Sequence, residues 1–221
     1  MAGREAARRR RMSSTERREQ LIDVGRGLFA ERGMDATSVE EIAARAEVSK
    51  PVVYEHFGGK EGLYAVVVDR EVAELLDRIR TSLTGRRYRE LLEQATLALL
   101  DYVDENSDGF RILVRDSAFA SGSGSYASIL SDIAVRVTDI LGDEFKRKNL
   151  DARTAPMYAQ ALVGMVALTG QWWLDVRKPR KPEVAAHLVN LAWNGLANLE
   201  SRPKLTVDVR DKGRDSRHRD S

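Results

Sequence analysis

Apolar residues recur along most of this chain at three- and four-residue intervals, and no run alternates in the two-residue period of a strand. Helices are therefore predicted throughout. The first begins near residue 14 and places Leu21, Val24, Leu28 and Phe29 on one stripe, with Gly33 in "AERGMDATS" as a left-handed stop. A second opens at "TSVEE", where either Thr37 with Glu40 or Ser38 with Glu41 can form a reciprocal capping pair. Val39, Ile42, Ala43 and Ala46 then follow at helical spacing. A third, very short helix lies in "EVSKPVVYEHF". Ser49 is its N-cap, Lys50 and Pro51 fall in the first turn, and Val53 and Phe57 share a face. Proline is tolerated there because first-turn amides have no intrahelical partner to lose. Gly58 and Gly59 end this helix, and a long one restarts near residue 60 with Leu63, Val66, Val67, Ala73, Leu76 and Ile79 on one side.

The remainder also reads as helices, over 88–105, 109–119, 126–149, 155–177 and 183–200. "ASGSGS" is a broken linker, "KPRKP" a rigid basic turn, and the polar tail from residue 201 is expected to be disordered. Residues 155–174 hold no charge over twenty positions, about the length that crosses a bilayer. Pro156, Gln160, Thr169 and Gln171 interrupt that stretch, and its Leu/Ile/Val density is modest, so a helix buried by protein is the expectation, with no membrane partner.

Composition narrows the picture. The 221 residues are 43% hydrophobic and 32% charged, as in a folded protein with a sizeable core. The absence of cysteine removes disulfides and thiolate metal sites and agrees with a reducing cytoplasm. A net charge of +2 announces no polyanionic partner, but residues 1–18 carry seven arginines (Arg4, Arg8, Arg9, Arg10, Arg11, Arg17, Arg18) against Glu5 and Glu16. Such an arm is drawn to a polyanion in a salt-dependent way; a solvated tail accounts for the same composition. "RRRR" runs into "MSSTERREQ" and not into an apolar segment, so no secretory signal is visible and a cytoplasmic location is expected.

The three short helices cannot each bury much alone, so their apolar faces must converge on a small core of Leu28, Phe29, Ile42, Ala46, Val48, Val53 and Phe57. "AEVS" joins the second to the third with the connection length of a helix-turn-helix. In that motif the second helix lies in the DNA major groove and offers its N-terminal residues to base edges, with its positive dipole end near phosphates. Lys50 and Pro51 then sit at the groove-facing tip, and Val52 meets a thymine methyl or a sugar. Tyr54 and His56 offer donors to phosphates, and Lys60 adds a cation near the backbone. A structural three-helix bundle with solvated Lys50, His56 and Lys60 is the rival reading.

The stretch "LFAERGMDATSVEEIAARAEVSKPVVYEHFGGKEGLY", residues 28–64, resembles the DNA-binding segment of the tetracycline-repressor (TetR) family of bacterial transcription factors. Phe29, Gly33, Thr37, Val39, Ile42, Ala43, Ala46, Val48, Ser49, Tyr54, Phe57, Lys60 and Leu63 carry the likeness, over about a fifth of the chain. Glu47 departs from it, standing where many members carry glycine. The resemblance implies an all-α homodimer with an N-terminal helix-turn-helix domain and a C-terminal helical ligand-binding and dimerisation domain. It also implies phosphate contacts from Thr37, Tyr54 and Lys60, and groove contacts from residues 50–52 and His56. With the capping serines, the candidate DNA-contacting set is Thr37, Ser38, Ser49, Lys50, Pro51, Val52, Tyr54, His56 and Lys60. The expected divisions are a basic arm at 1–13, the reading head at 14–60, the body at 61–200 and a tail at 201–221.

In the body, the helices over 155–177 and 183–200 are the candidates for a four-helix dimer interface, through Ala161, Gly164, Ala167, Gly170, Trp172, Trp173, His187 and Trp193. The same tryptophans would equally fill a subunit core. A pocket for a small-molecule effector is sought among Tyr102, Phe110, Val114, Phe119, Tyr126, Ile129 and Met157, with Arg111 or Arg115 as polar anchor. Ordinary core packing explains that set too. An enzyme finds little support: the histidines (His56, His187, His218) lie far apart, and there is no thiol, P-loop, GxSxG or GxGxxG. No catalytic residue, metal or cofactor is expected. The reading is a dimeric, ligand-responsive regulator on double-stranded DNA, most often a repressor in this family. A non-specific architectural DNA binder is the alternative.

Overall fold

The computed structural model describes residues 12–85, 87–116 and 126–206, with the side chains of residues 116 and 126–129 outside that description. The arm at 1–11, Phe119, the linker at 121–125 and the tail from 207 also lie outside the described residues. Among them the chain forms α1 (Ser14–Arg32), α2 (Val39–Arg45), α3 (Lys50–Phe57), α4 (Lys60–Ser82), α5 (Tyr88–Glu105), α6 (Ser107–Asp116), α7 (Tyr126–Arg147), α8 (Ala155–Val176) and α9 (Lys181–Ala197). No described residue is in a strand, so the all-α expectation holds. No helix among the described residues is long and apolar enough to cross a membrane.

The caps explain where the head's helices begin. Ser13 caps α1, its hydroxyl accepting from the Glu16 amide at 3.2 Å while the Glu16 carboxylate accepts from the Ser13 amide at 2.7 Å. Of the two capping pairs open to α2, Ser38 with Glu41 forms, because Thr37 is only 2% exposed and its hydroxyl donates to the Gly33 carbonyl at 2.7 Å. Gly33 does stop α1 with φ of +85°, but its ψ of 167° is extended and not the left-handed helical value expected. Gly58 takes that value, φ 72° and ψ 0°, and its amide donates to the Tyr54 carbonyl at 2.8 Å. Glu47 sits at φ +54°, a conformation glycine adopts without strain, which accounts for the glycine that a chain of this type would favour there.

α6 starts at Ser107, two residues earlier than expected, and α9 starts at Lys181 with Pro182 in its first turn. Both shifts reflect the weakness of end signals compared with the apolar period. Leu21, Leu28, Phe29, Ile42, Val53 and Leu63 are each 1% exposed or less. Full burial of such side chains contributes about 1.5–3 kcal/mol apiece. The core they form runs without a break into the body through Val67, Leu75, Leu100, Tyr102 and Leu113. The ring of Phe29 meets that of Tyr64 edge-on at 5.0 Å, stitching α1 to α4. A smaller cluster of Leu141, Phe145, Ala155 and Ala159 closes the far end of the body.

α3 and α4 approach so closely that a Cβ on Gly62 would lie 1.9 Å from the Phe57 carbonyl oxygen. Gly62→Ala should therefore cost about 1–3 kcal/mol of stability, whereas Gly142→Ala, with open space around it, should be neutral or stabilising by roughly 0.5–1 kcal/mol. Thermal unfolding of the two variants checks this; equal melting points would contradict the close approach.

Candidate nucleic-acid interface

α3 is eight residues long and faces two ways. Val53 is fully buried against the head core, while Ser49, Lys50, Pro51 and Tyr54 are exposed and Val52, His56 and Phe57 are half-buried. The outward face therefore carries an ammonium, a proline ring and a phenol from the helix tip onwards. Ser49 occupies the N-cap position but its hydroxyl makes no capping bond. Tyr54 is 54% exposed, and its hydroxyl is left for an external acceptor. The ammonium of Lys50 pairs with Glu40 of α2, which holds the Glu40 carboxyl below its ordinary value, first through that hydrogen bond. Both partners are more than half exposed, so the pair is worth little and opens readily to a stronger anion.

Three of the candidate contacts are engaged inside the head. Thr37 is buried on Gly33, and the Ser38 hydroxyl is taken up by the cap of α2. Lys60 donates to the carbonyls of Met34 at 3.1 Å, Asp35 at 3.3 Å and Thr37 at 3.0 Å. The α1–α2 loop leaves these carbonyls without helical partners, and one ammonium gathers them. In this structure its ammonium closes the loop. Two contributors were missed in the sequence: Gln20 donates to the Ala46 carbonyl at 3.2 Å, and the Arg18 guanidinium lies 4.9 Å from the centre of the Phe57 ring. Arg18 lies in α1, as a first helix beginning near residue 14 implies; its packing on the Phe57 ring is what the sequence did not display.

The body encloses a cavity of about 560 Å³, walled by α4, α5, α7, α8 and α9. Leu76, Ile79, Leu91, Leu92, Ile133, Val137, Ile140, Phe145, Leu162, Trp193 and Leu196 make its walls apolar, and Asp77, Arg80, Tyr88, Asp132, Arg136, Glu144 and Lys148 supply its polar lining. None of the expected pocket residues whose side chains are described lines it. Tyr102 and Phe110 are fully buried in the shared core, and Val114 packs against that core. Met157 is 61% exposed on α8. Arg111 lies beside Asp108 and Asp175. Arg115 reaches the Phe29 and Ala30 carbonyls at 3.3 and 3.4 Å, closing the end of α1. Phe119 and the side chains of Tyr126 and Ile129 lie outside the described residues.

The expected dimer residues divide by facing. Ala161, Trp172 and His187 are exposed and Gly164 is partly so, in line with Leu168 and Val176 on α8 and Leu191 on α9. Ala167, Gly170 and Trp173 instead face inward: Gly170 lies against Leu99 and Val103, and the Trp173 indole donates to the Pro179 carbonyl at 2.8 Å. Trp193 faces the cavity.

Residues 21–67 match the family model of bacterial regulatory proteins of the tetR family, and residues 88–195 match that of the tetracyclin repressor-like C-terminal domain. The HTH-type transcriptional activator FasR of Mycolicibacterium smegmatis is 32% identical over 192 residues, 86% of this chain and 87% of that one. A HTH-type transcriptional repressor of Mycobacterium tuberculosis is 43% identical over 72 residues, 31% of this chain and 38% of that one. A TetR-like transcriptional regulator from Rhodococcus sp. RHA1, solved as a crystal structure, superposes with a TM-score of 0.68 at 26% identity, covering 86% of this chain and 100% of that one.

Lys60→Met separates loop closure from phosphate contact. Removing the ammonium takes a hydrogen-bond donor from three carbonyls, of which Met34's keeps the Thr37 amide, and should lower the melting point of the protein, at about 1–2 kcal/mol. The slope of log affinity for DNA against log salt should stay unchanged; a slope smaller by about one would return Lys60 to the phosphate-contacting set.

Proposed function

Since the chain belongs to the TetR family of bacterial regulatory proteins, a family of DNA-binding transcriptional regulators and not of enzymes, we propose that it binds a pseudo-palindromic operator as a homodimer in the cytoplasm and answers to an apolar effector. The carrying observation is α3, which buries Val53 completely while leaving Lys50 and Pro51 outward at its leading end and Tyr54 outward one turn on. In this proposal Lys50 exchanges Glu40 for a guanine edge, Tyr54 and Ser49 bond phosphates, and Val52 meets a thymine methyl. Two such helices entering successive major grooves on one face of the duplex would lie about 34 Å apart.

The apolar stripe of α8 and α9 supports the dimer. Met157, Leu168, Trp172, Val176 and Leu191 are each 46% exposed or more, an expensive face to leave in water. The cavity supports the effector, whose walls ask for a largely apolar molecule. Leu76 and Ile79 place those walls on the C-terminal half of α4, and the N-terminal half of the same helix packs on the head through Leu63. An effector then acts to the extent that it binds one setting of α4 better than another. Bound across a promoter such a dimer represses. Bound upstream, the same contacts give the positive sign named for FasR.

Selection of sites from random duplexes by the purified protein tests this reading. Two half-sites with centres about ten base pairs apart should be enriched; enrichment without any paired motif would favour a non-specific binder. Tyr54→Phe should weaken all sites alike by roughly five- to tenfold, and Lys50→Ala should relax one base position by about 1–3 kcal/mol. Leu168→Glu should convert the dimer to monomer in sedimentation, since an interface core does not accommodate an unpaired carboxylate. A dimer that persists would move the interface elsewhere.

A further inference from the structure

Glu71, halfway along α4, is a buried acid at 4% exposure, and it serves neither the reading face nor the cavity wall. Its Oε1 accepts from Arg26 Nε of α1 at 2.5 Å, and its Oε2 accepts from the Tyr102 hydroxyl of α5 at 2.6 Å. α6 lies directly on the same carboxylate: a Cβ on Gly109 would come within 1.8 Å of Oε2. Burial first, then the neighbouring carboxylate, push the Tyr102 phenol well above the ordinary tyrosine range, so it remains a donor. One carboxylate thus ties the head's first helix to three helices of the body.

Rather than counting this cluster among the stabilising contacts, we infer that Glu71 is a positioning residue for operator spacing. The pair joins a buried carboxylate, 6% exposed, to a guanidinium that is 29% exposed, and apolar contacts of the same volume would hold the helices together about as well, so it adds little net stability. What it adds is direction: two charge-assisted bonds near 2.6 Å hold only at one angle between α1, α4 and α5. From Glu71 back to the start of α4 is about 16 Å of helix at ~1.5 Å per residue. A tilt of roughly 10° at the carboxylate moves that end by about 3 Å, close to the ~3.4 Å step between base pairs. With two heads the effect doubles. The inference rests on the paired DNA reading proposed above, and it adds that the separation of the half-sites is set at this joint, remote from α3.

The test uses the full chain and a pool of duplexes carrying the selected half-sites at graded separations. The wild-type protein should show one preferred separation. Glu71→Gln and Tyr102→Phe should keep the half-site sequence and lose at least threefold of the discrimination against separations one base pair longer or shorter. If Glu71→Gln does not accumulate as folded protein, Tyr102→Phe decides, since it keeps the ring and removes one hydroxyl. Folded variants with the wild-type separation profile, or with altered half-site sequence, would overturn the inference while leaving the proposed function standing. A wild-type protein that enriches no paired half-sites would overturn both.

Discussion

The burial of Val53 governs what this molecule can do. A helix of eight residues is too short to hold itself in water. α3 exists because Val53, at 0% exposure, is buried in the same core as Ile42, Phe29 and Leu63, and because Gly58 and Pro51 set its two ends. Once that face is fixed inward, Lys50 and Tyr54 have no direction but outward. The same constraint explains the engaged lysine. Lys60 starts α4 directly after the glycine pair, and tying down the loop before α2 keeps the frame around α3 closed.

The head is also not free of the body. Its apolar core continues through Leu63 and Val67 into α5 and α6, and polar contacts reinforce the join: Arg70 with Glu19, Arg26 with Glu71, and Arg115 on the last carbonyls of α1. α4 takes part in two of them and walls the cavity further along. The cavity in the body and the outward face of α3 in the head are therefore joined by one stiff element with directional bonds along it. A change in cavity occupancy has a mechanical path to the head.

The sequence displayed the head well because its signals are local. Capping serines, the glycine pair and the i, i+3, i+4 stripes of Val39, Ile42 and Ala46 fall within one turn of the residues they organise. The body was readable as helices but not as a site. Ile133 and Val137 on the cavity wall have the same period and hydropathy as Leu99 and Val103 in the core. What separates them is the distance to the facing helix, which no local pattern encodes. The intramolecular partners of the basic side chains were hidden for a related reason. Lys60 and Arg115 reach carbonyls more than twenty residues away, and only the assembled loops create those acceptors. Trp172 and Trp173 show the limit most plainly: neighbours in the chain, one is 50% exposed and the other 3%.

Chemical protection of the duplex probes the central claim most directly. Methylation of guanine N7 reports the major groove, and methylation of adenine N3 reports the minor groove. With the wild-type protein bound, N7 should be shielded in two patches about ten base pairs apart on one face of the helix. Shielding confined to adenine N3, or spread evenly along the duplex, would contradict an α3 that enters the groove in pairs.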